Sequence, residues 1–565
     1  MPRLSSFVNS LIGNLDHDYS TQVIFEGLDW LTNTLKFNLP ITITTSLALG
    51  ASIQCPNYNE FAQAPQGNPS NGTLALPFMR PAPACRTFNS TAVEKVIEDM
   101  KTRLKDPDVA RLFENTFPNT LDTTVKYYSK EENLAFIITG DITAQWLRDT
   151  ANQFAHYHRL LAVDSELAAL FKAVINNEAR YVAEYPYCGA FQPPPESGLV
   201  PAHNPWADKV VINPPVDNRT VFECKFELDS LAAFLKLSRL YYNATKDGSF
   251  MNSNWFAAID RIFQVINEQS QSSFDKDFNF VSFYNWTGMP GALSPKVNNG
   301  GNGEPKKYTG MVGSSHRPSD DLCTFPFLVP ANAMLSVELR HLADMLETTG
   351  QAQDVSRSAK EWSSRIHDAI WETAVVDDVF AYETNGFGGR YIMDDANVPS
   401  LLSLPYLGFL DARHPIYVAT RKMITSNHNP YFAKGASFSG VGGPHADAWH
   451  PWQVPVPFVS KVKYAHLGFR PMSQISAIFG TGDDEEILES LYLIINNTAG
   501  LGLIHESQSI YNSTDYTRPW FAWANSYFAE MLLDLAERKP SLIFTNGESY
   551  LPASDFTAQN RERLR

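Results

Sequence analysis

The chain has 565 residues, of which 44% are apolar and 19% charged, a composition that excludes a disordered or fibrous protein and allows a large buried core. At roughly 100–200 residues per domain, the length fits one large domain or up to three or so small ones. The formal net charge of −16 argues against nucleic acid and anionic lipid as partners, because an acidic surface repels phosphate groups.

The N-terminal part reads as an extension. Its first 36 residues contain four acidic side chains and no apolar run long enough for an ordinary signal peptide. Residues 39–50 resemble the apolar core of such a signal, but they are too short and too rich in Thr to form a stable membrane span. We predict an extension over 1–54 with an internal signal-like segment, the alternative being a poorly structured tail. The Asn-, Pro-, Gly- and Ser-rich residues 55–80 predict a linker, followed by a folded domain over 81–545 and a tail over 546–565.

Cysteine and asparagine patterns bear on the cellular compartment. The five cysteines show no CxxC spacing, so no zinc site is indicated, and their odd number leaves at least one thiol unpaired. Chance gives about four Asn-x-Ser/Thr acceptors in such a chain. The seven observed predict a secreted protein or one in the secretory pathway, and they lie at Asn71, Asn89, Asn218, Asn243, Asn285, Asn496 and Asn512.

Helical periodicity dominates from Ser90 onward, where Ser90 and Thr91 predict the cap of a first helix. Two strands are predicted, over 136–138 and 375–382. No fixed repeat supports a solenoid, so the pattern predicts an all-α toroid with long loops and minor β structure at its mouth. The other predicted helices span 144–161, 164–184, 223–242, 254–268, 331–348, 356–372, 413–425, 484–495 and 520–537.

Two polar and aromatic strings lie at predicted helix starts. In residues 140–153, Trp146, Arg148 and Asp149 open a helix and are candidate site residues. The alternative is that the aspartate only caps the helix and the tryptophan only packs in the core. In residues 222–242, Glu227 and Asp229 are two apart, so on a helix they point about 200° from each other and only one is expected to face a cavity. Small residues one turn beyond Asp229 leave space for a ligand, and the alternative is an acidic first turn favoured by the helix dipole.

Two further strings lie in predicted loops. Residues 310–332 bring His316, Arg317, Asp320 and Asp321 together, and an ordinary solvated loop is the alternative. A phosphate site is disfavoured there, because no Walker motif is present and the aspartates would repel phosphate.

The last strings hold the other candidates. Residues 500–535 contain Glu506 in a turn, then Arg518 and Trp523, although the tryptophan also suits core packing. Residues 442–452 add His445 as a further candidate binding residue, in a spacing that is not the HExxH of zinc proteases.

Carboxylates from separate segments, together with aromatic rings and fixed polar donors, are typical of a sugar site. No GxSxG elbow and no helix-opening GxGxxG is present, so no cofactor is predicted and hydrolysis by two carboxylates is the favoured chemistry.

The strings GDITAQWLRD, FELDSLAAF, GSSHRPSDDLCTFPFLVPAN and HESQSIYNSTDYTRPWFAWANSYF resemble glycoside hydrolase family 125, the exo-α-1,6-mannosidases. The likeness runs in order from about residue 77 to about residue 540, and residues 1–76 lie outside it. It implies an (α/α)6 barrel that releases non-reducing terminal α-1,6-linked mannose from mannan or N-glycan-type oligosaccharides. It also implies inversion at the anomeric carbon without a metal, and we expect a monomer with no partner besides the substrate.

The resemblance also implies residue roles. Asp229 in ELDS corresponds to the general acid and Glu506 in HES to the general base. The sequence departs from the family after HES, where Phe-Asp is usual, which leaves acceptor-side contacts open. The implied terminal-mannose subsite comprises Trp146, Arg148, Asp149, His316, Arg317, Asp320 and Asp321.

Two alternatives stay open. One is another inverting α-glycosidase on the same barrel, such as a glucosidase, and the other is a non-catalytic glycan-binding protein. Release of mannose from α-1,6-mannobiose distinguishes them.

Overall fold

A computed structural model describes residues 54–205, 207–208, 210–288, 298–444 and 468–552. The predicted extension over 1–54, apart from Gln54, lies outside the described residues, as does the tail beyond residue 552. Within the described part of the chain, no helix is long and apolar enough to cross a membrane.

Helices form most of the structure, and each predicted helix has an observed counterpart. The predicted cap is confirmed, since Ser90 Oγ accepts a hydrogen bond from the Val93 amide at 3.1 Å. The α-helices of regular geometry are α1 (Tyr58–Phe61), α2 (Thr91–Arg103), α3 (Pro107–Thr116), α4 (Asn119–Thr123), α5 (Leu147–Ala155), α6 (Ser165–Glu184), α7 (Leu228–Thr245), α8 (Ser253–Gln269), α9 (Val329–Thr349), α10 (Gln353–Thr373), α11 (Pro415–Ile424), α12 (Pro471–Phe479), α13 (Asp484–Ile495), α14 (Ala522–Arg538) and α15 (Pro540–Ile543).

The most buried helices form a ring. Helix α5 packs against α7, α7 against α9, α12 against α14, and α14 back against α5. Between α9 and α12 the chain supplies a buried non-helical segment, whose Tyr406 ring lies 4.8 Å from Phe479 of α12 and 5.1 Å from Tyr527 of α14. All nine residues of α5 are buried, as a helix enclosed on every side requires.

A second layer of helices covers this ring. Helix α6 packs on α7 and α8, α10 on α9, α13 on α12, and α3 on α14. Several of these outer helices keep an exposed side, for example the charged face of α10. Two concentric helical layers are therefore present, and the predicted α/α toroid is confirmed.

Short strands join the helices, and the pairings are all antiparallel. The strand predicted over 136–138 is confirmed as β2, and the one predicted over 375–382 is a hairpin of β9 and β10. The strands are β1 (Val125–Ser129), β2 (Leu134–Ile137), β3 (Gln145–Trp146), β4 (Ala190–Phe191), β5 (Val211–Asn213), β6 (Val221–Glu223), β7 (Asn285–Thr287), β8 (Phe327–Leu328), β9 (Val375–Val376), β10 (Val379–Phe380), β11 (Glu383–Thr384), β12 (Arg390–Tyr391), β13 (Phe432–Lys434), β14 (Ser439–Val441), β15 (Gly468–Phe469), β16 (Ser507–Ser509) and β17 (Tyr516–Thr517).

The prediction of a linker over 55–80 is wrong, because this segment packs on the helical domain. The Tyr58 ring is buried and lies 5.2 Å from Trp520, and the Tyr58 hydroxyl donates to the Met79 carbonyl at 2.9 Å. Arg80 is buried and forms an ion pair with Asp122 at 2.7 Å. Pro and Gly suit a packed irregular segment as well as a linker, so the composition of residues 55–80 does not distinguish the two.

The cysteines form two disulfides, Cys55–Cys85 and Cys188–Cys224, and Cys323 is unpaired. The first disulfide ties the segment over 55–80 to the start of the domain. The second joins the chain before β4 to the chain just after β6.

The two ends of the domain meet. Gly140 forms an isolated β-bridge with Phe521, and Leu104 forms another with Phe544. The Lys105 amide also donates to the Ile543 carbonyl at 3.0 Å. The ring is therefore closed by pairing between early and late parts of the chain.

Candidate active site

A cavity of about 360 Å³ brings together several of the predicted site residues. Its lining residues are Thr139, Ile142, Trp146, Arg148, Asp149, Pro318, Ser319, Asp320, Arg470, Glu506, Arg518 and Phe521.

A three-stranded sheet of β15, β16 and β17 sets one wall of this cavity. Phe469 pairs with Gln508, and Ser507 pairs with Thr517. Arg470, Glu506 and Arg518 each stand one residue beyond these pairs, at the same end of the sheet. The antiparallel register therefore brings Glu506 between two arginines that are distant in sequence.

Glu506 is held by three contacts. Its Oε1 lies 3.6 Å from Arg470 Nη2 and 3.7 Å from Arg518 Nη1. Thr517 Oγ1 donates to Glu506 Oε2 at 3.2 Å. These contacts fix a carboxyl group in the cavity wall, where a general base is needed.

Arg470 is itself held by a series of buried hydrogen bonds that no sequence motif predicts. Its Nη1 donates to Asn397 Oδ1. Asn397 in turn donates to Asp395 Oδ1 from its amide nitrogen at 3.1 Å and from Nδ2 at 2.8 Å. Arg470 is distant in sequence from Asn397, and the two residues come into contact only in the folded protein.

The opposite wall begins at the junction of β3 and α5. Trp146 ends β3 and is the N-cap residue of α5, and its ring packs edge-on against Phe222 at 5.5 Å. Arg148 and Asp149 follow in the first turn of α5, and both are buried. The three residues predicted from this string therefore lie together in the cavity wall.

Arg148 contacts both carboxylates at the start of α7. Its Nη1 lies 2.6 Å from Glu227 Oε2 and 3.4 Å from Asp229 Oδ2. Neither Glu227 nor Asp229 is among the residues that line the cavity, so the expectation that only one of them faces it stays a prediction. Glu227 is the extended N-cap residue of α7, with φ −121° and ψ 115°, so the helical angle does not apply to it.

Burial dominates the electrostatics of this cluster. It raises the pKa of Asp229 to about 6 and that of Asp149 to about 6, and it raises the pKa of Glu227 well above its usual range. Arg148 is the guanidinium that contacts all three carboxylates. Burial outweighs the charge of Arg148 at these carboxyl groups, so the cluster favours retention of a proton.

Asp229 does not line the cavity itself. Its side chain is fully buried, and its Oδ1 has no hydrogen-bond partner. A buried carboxyl oxygen without a partner is costly, and it marks a place where a substrate hydroxyl, a water or a proton would be stabilised.

Of the predicted residues between His316 and Asp321, one lines the cavity and the others lie next to it. Asp320 lines the cavity. Arg317 is buried in an ion pair with Glu383 at 2.6 Å, and the His316 ring is buried at 5.2 Å from Trp286. Asp321 accepts a hydrogen bond from Ser319 Oγ at 2.8 Å. These last three shape the loop that presents Asp320.

The remaining predicted residues differ in position. Arg518 lines the cavity, and Trp523 is buried beneath it, with the Arg148 guanidinium 5.6 Å from its ring centroid. His445 lies outside the described residues. Within the described ranges, no cluster of three or more His, Cys, Asp or Glu side chains could hold a metal ion.

Comparisons with known proteins agree with one another. The family model described as metal-independent α-mannosidase (GH125) matches residues 106–533. The chain is 45% identical over 503 residues to a Schizosaccharomyces pombe protein named "Meiotically up-regulated gene 157 protein", a match that covers 87% of this chain and 94% of that one.

A solved structure is also similar. It is a metal-independent α-mannosidase of Streptococcus pneumoniae, described as a non-productive substrate complex with α-1,6-mannobiose. The match has a TM-score of 0.68 and 28% sequence identity, and it covers 79% of this chain and 99% of that chain.

Proposed function

Because this chain belongs to the metal-independent α-mannosidase family GH125 and is a glycoside hydrolase on an (α/α)6 barrel, we propose that it removes non-reducing terminal α-1,6-linked mannose with inversion. The observation that carries the proposal is the presence of two carboxyl groups in unlike surroundings, Glu506 in the cavity lining and Asp229 behind the lining residue Arg148. Glu506 lies between Arg470 and Arg518, whereas Asp229 is fully buried and its pKa is raised by burial to about 6.

In this mechanism Glu506 is the general base. Its carboxylate takes a proton from water while the water oxygen bonds to the anomeric carbon. Asp229 gives its proton to the glycosidic oxygen as the bond between that oxygen and the anomeric carbon breaks. An inverting pair needs about 6.5–9.5 Å between the two carboxyl groups so that the water fits. The different surroundings of the two carboxyl groups support these roles.

The cavity lining suits a sugar. It combines the Trp146 ring with charged groups that bind hydroxyls. We assign Arg148, Asp149 and Asp320 to the terminal mannose. The α-1,6 linkage is inferred from the ligand named for the pneumococcal relative.

The direct test is the product from α-1,6-mannobiose followed by proton NMR. We expect free mannose with β configuration at the first time points, before mutarotation. Maltose and isomaltose serve as controls, and they should not be cleaved. An initial α product would contradict inversion, whereas faster glucose release would make the chain a glucosidase. Binding of mannobiose without cleavage would make it a glycan-binding protein.

We also propose that the protein is a glycoprotein of the secretory pathway that acts as a monomer. Six of the seven acceptor asparagines, all except Asn285, are exposed. Two disulfides are typical of an oxidising compartment. Mass spectrometry of peptides from the secreted protein tests the glycans.

A further inference from the structure

A second cavity, of about 710 Å³, lies on the other side of the loop that presents Asp320. Gly313, Ser314 and Ser315 line this second cavity, whereas Pro318, Ser319 and Asp320 line the first. The two cavities share no lining residue among those described. The second is therefore a separate site beside the candidate active site.

The walls of the second cavity are rich in neutral polar groups. Hydroxyl and amide side chains come from Gln269, Gln271, Ser273, Ser282 and Asn302. Many of these groups are fixed by hydrogen bonds with neighbours. For example, Ser273 Oγ accepts from the Lys306 amide at 2.9 Å, and Gln269 Oε1 accepts from Lys306 Nζ at 2.9 Å.

Three chain segments run side by side at this cavity. The Ser273 amide donates to the Lys306 carbonyl at 2.9 Å, and the Lys307 amide donates to the Asn385 carbonyl at 2.9 Å. The Tyr308 amide donates to Ser272 Oγ at 2.9 Å. Residues 272–281, 306–308 and 385–387 therefore form one continuous surface.

That surface concentrates the exposed aromatic rings of the protein. Of the seven Phe and Tyr residues that are exposed in the described part of the chain, five lie on these three segments. Exposed large apolar groups in a cluster mark interaction sites, whereas single ones need no explanation. We call the cluster the aromatic rim; it consists of Phe274, Phe278, Phe280, Tyr308 and Phe387.

The rim is built to expose its rings. Phe278 stands at a turn with φ +63° and is 86% exposed, a costly arrangement for a large apolar side chain. Phe274 and Phe280 pack edge to face, with centroids 5.5 Å apart, and Phe280 also lines the cavity. The rim and the cavity are thus continuous through Phe280.

We propose that the second cavity and the aromatic rim form an ancillary saccharide-binding site, which holds mannose units of the glycan beyond those being cleaved. Aromatic faces stack on the C–H surfaces of hexoses, and neutral hydroxyl and amide groups bind their hydroxyls. The cavity wall carries Glu268, Glu304 and Lys306, so it has no excess of positive charge to hold an anionic ligand, and the polar lining disfavours a lipid or an apolar peptide. The choice of mannose rests on the proposed function.

The test uses a hydrolysis-resistant probe, α-1,6-linked mannotetraose with sulfur in place of its glycosidic oxygens, titrated by calorimetry. We expect the wild-type chain to bind it at two sites. The double variant Phe278→Ala, Tyr308→Ala should weaken the second site by about 3–10-fold, as loss of aromatic contacts implies. Tyr492→Ala is the matched control, because Tyr492 is 39% exposed and lies on α13, outside the rim.

The same variants are assayed with α-1,6-mannobiose. We expect turnover of this disaccharide to stay within twofold of wild type, since it is too short to reach a second site. Unchanged tetraose binding in the double variant would overturn the proposal, as would a comparable loss in Tyr492→Ala. Loss of mannobiose turnover would also overturn it by making the rim part of the active site. If the wild type binds the tetraose at the rim but cleaves no mannobiose, the proposed function fails and the ancillary site stands.

Discussion

Burial separates the two carboxyl groups that we assign to catalysis. Asp229 is fully buried, whereas Glu506 keeps part of its side chain in the cavity between two arginines. Removal of the proton donor is therefore expected to change the reaction rates in a different way from removal of the base.

Asp229→Asn and Glu506→Gln should each lower kcat by roughly 10²–10⁴-fold on mannobiose, as expected for loss of general acid or base catalysis. A substrate with a good leaving group needs no proton donor, so it should restore much of the rate in Asp229→Asn only. Rates are measured with mannobiose and with an aryl α-mannoside. Near wild-type turnover of mannobiose in either variant would remove that residue from its role.

The pH profile tests the same assignment. Burial raises the pKa of Asp229 to about 6, and the acid acts only while protonated, so kcat/KM should fall as pH rises through about 6. This fall should disappear in Asp229→Asn. Asp149→Asn is the control, because burial raises the pKa of Asp149 to about 6 as well. Loss of the fall in Asp149→Asn alone would assign it to Asp149.

The predictable site residues are those within single sequence strings. Trp146, Arg148 and Asp149 were predicted because they follow one another at a helix start. Arg470 and Asn397 were not, since their roles arise from contacts between strands and loops more than 70 residues apart. The helical angle between Glu227 and Asp229 does not apply in the structure, because the helix begins at Leu228 and Glu227 is its extended N-cap residue.

At the scale of elements, long helices were predictable and short strands were not. Amphipathic periodicity needs several turns to become visible, and α6 and α13 supply them. Strands of two residues, such as β3 and β15, carry no period at all, yet they position the cavity walls. Helices α3 and α12, of ten and nine residues, were not predicted.

The segment over 55–80 gives a prediction at this scale. Arg80→Ala should destabilise the protein by about 3–5 kcal/mol, since it leaves the buried Asp122 carboxylate without its close partner. Chemical denaturation measures the free energy of unfolding. Lys95→Ala, which removes an i,i+4 pair with Asp99 on the same domain, should cost less than about 0.5 kcal/mol. Equal small effects would mean that the segment adds nothing to stability.

At the scale of the whole molecule, the proposed chemistry uses carboxyl groups and guanidinium groups alone. The described residues hold no cluster suited to a metal ion. Dialysis against EDTA should therefore leave kcat, KM and the melting temperature unchanged. Activity lost to EDTA and restored by calcium or zinc would reject the mechanism.

The ring of helices closes only when early and late parts of the chain pair, at Gly140 with Phe521 and at Leu104 with Phe544. Ribosomes add residues at roughly 5–20 per second, so the wall that holds Glu506 emerges many seconds after the one that holds Arg148. A nascent chain thus has half a sugar pocket and no catalytic power until its synthesis is nearly complete.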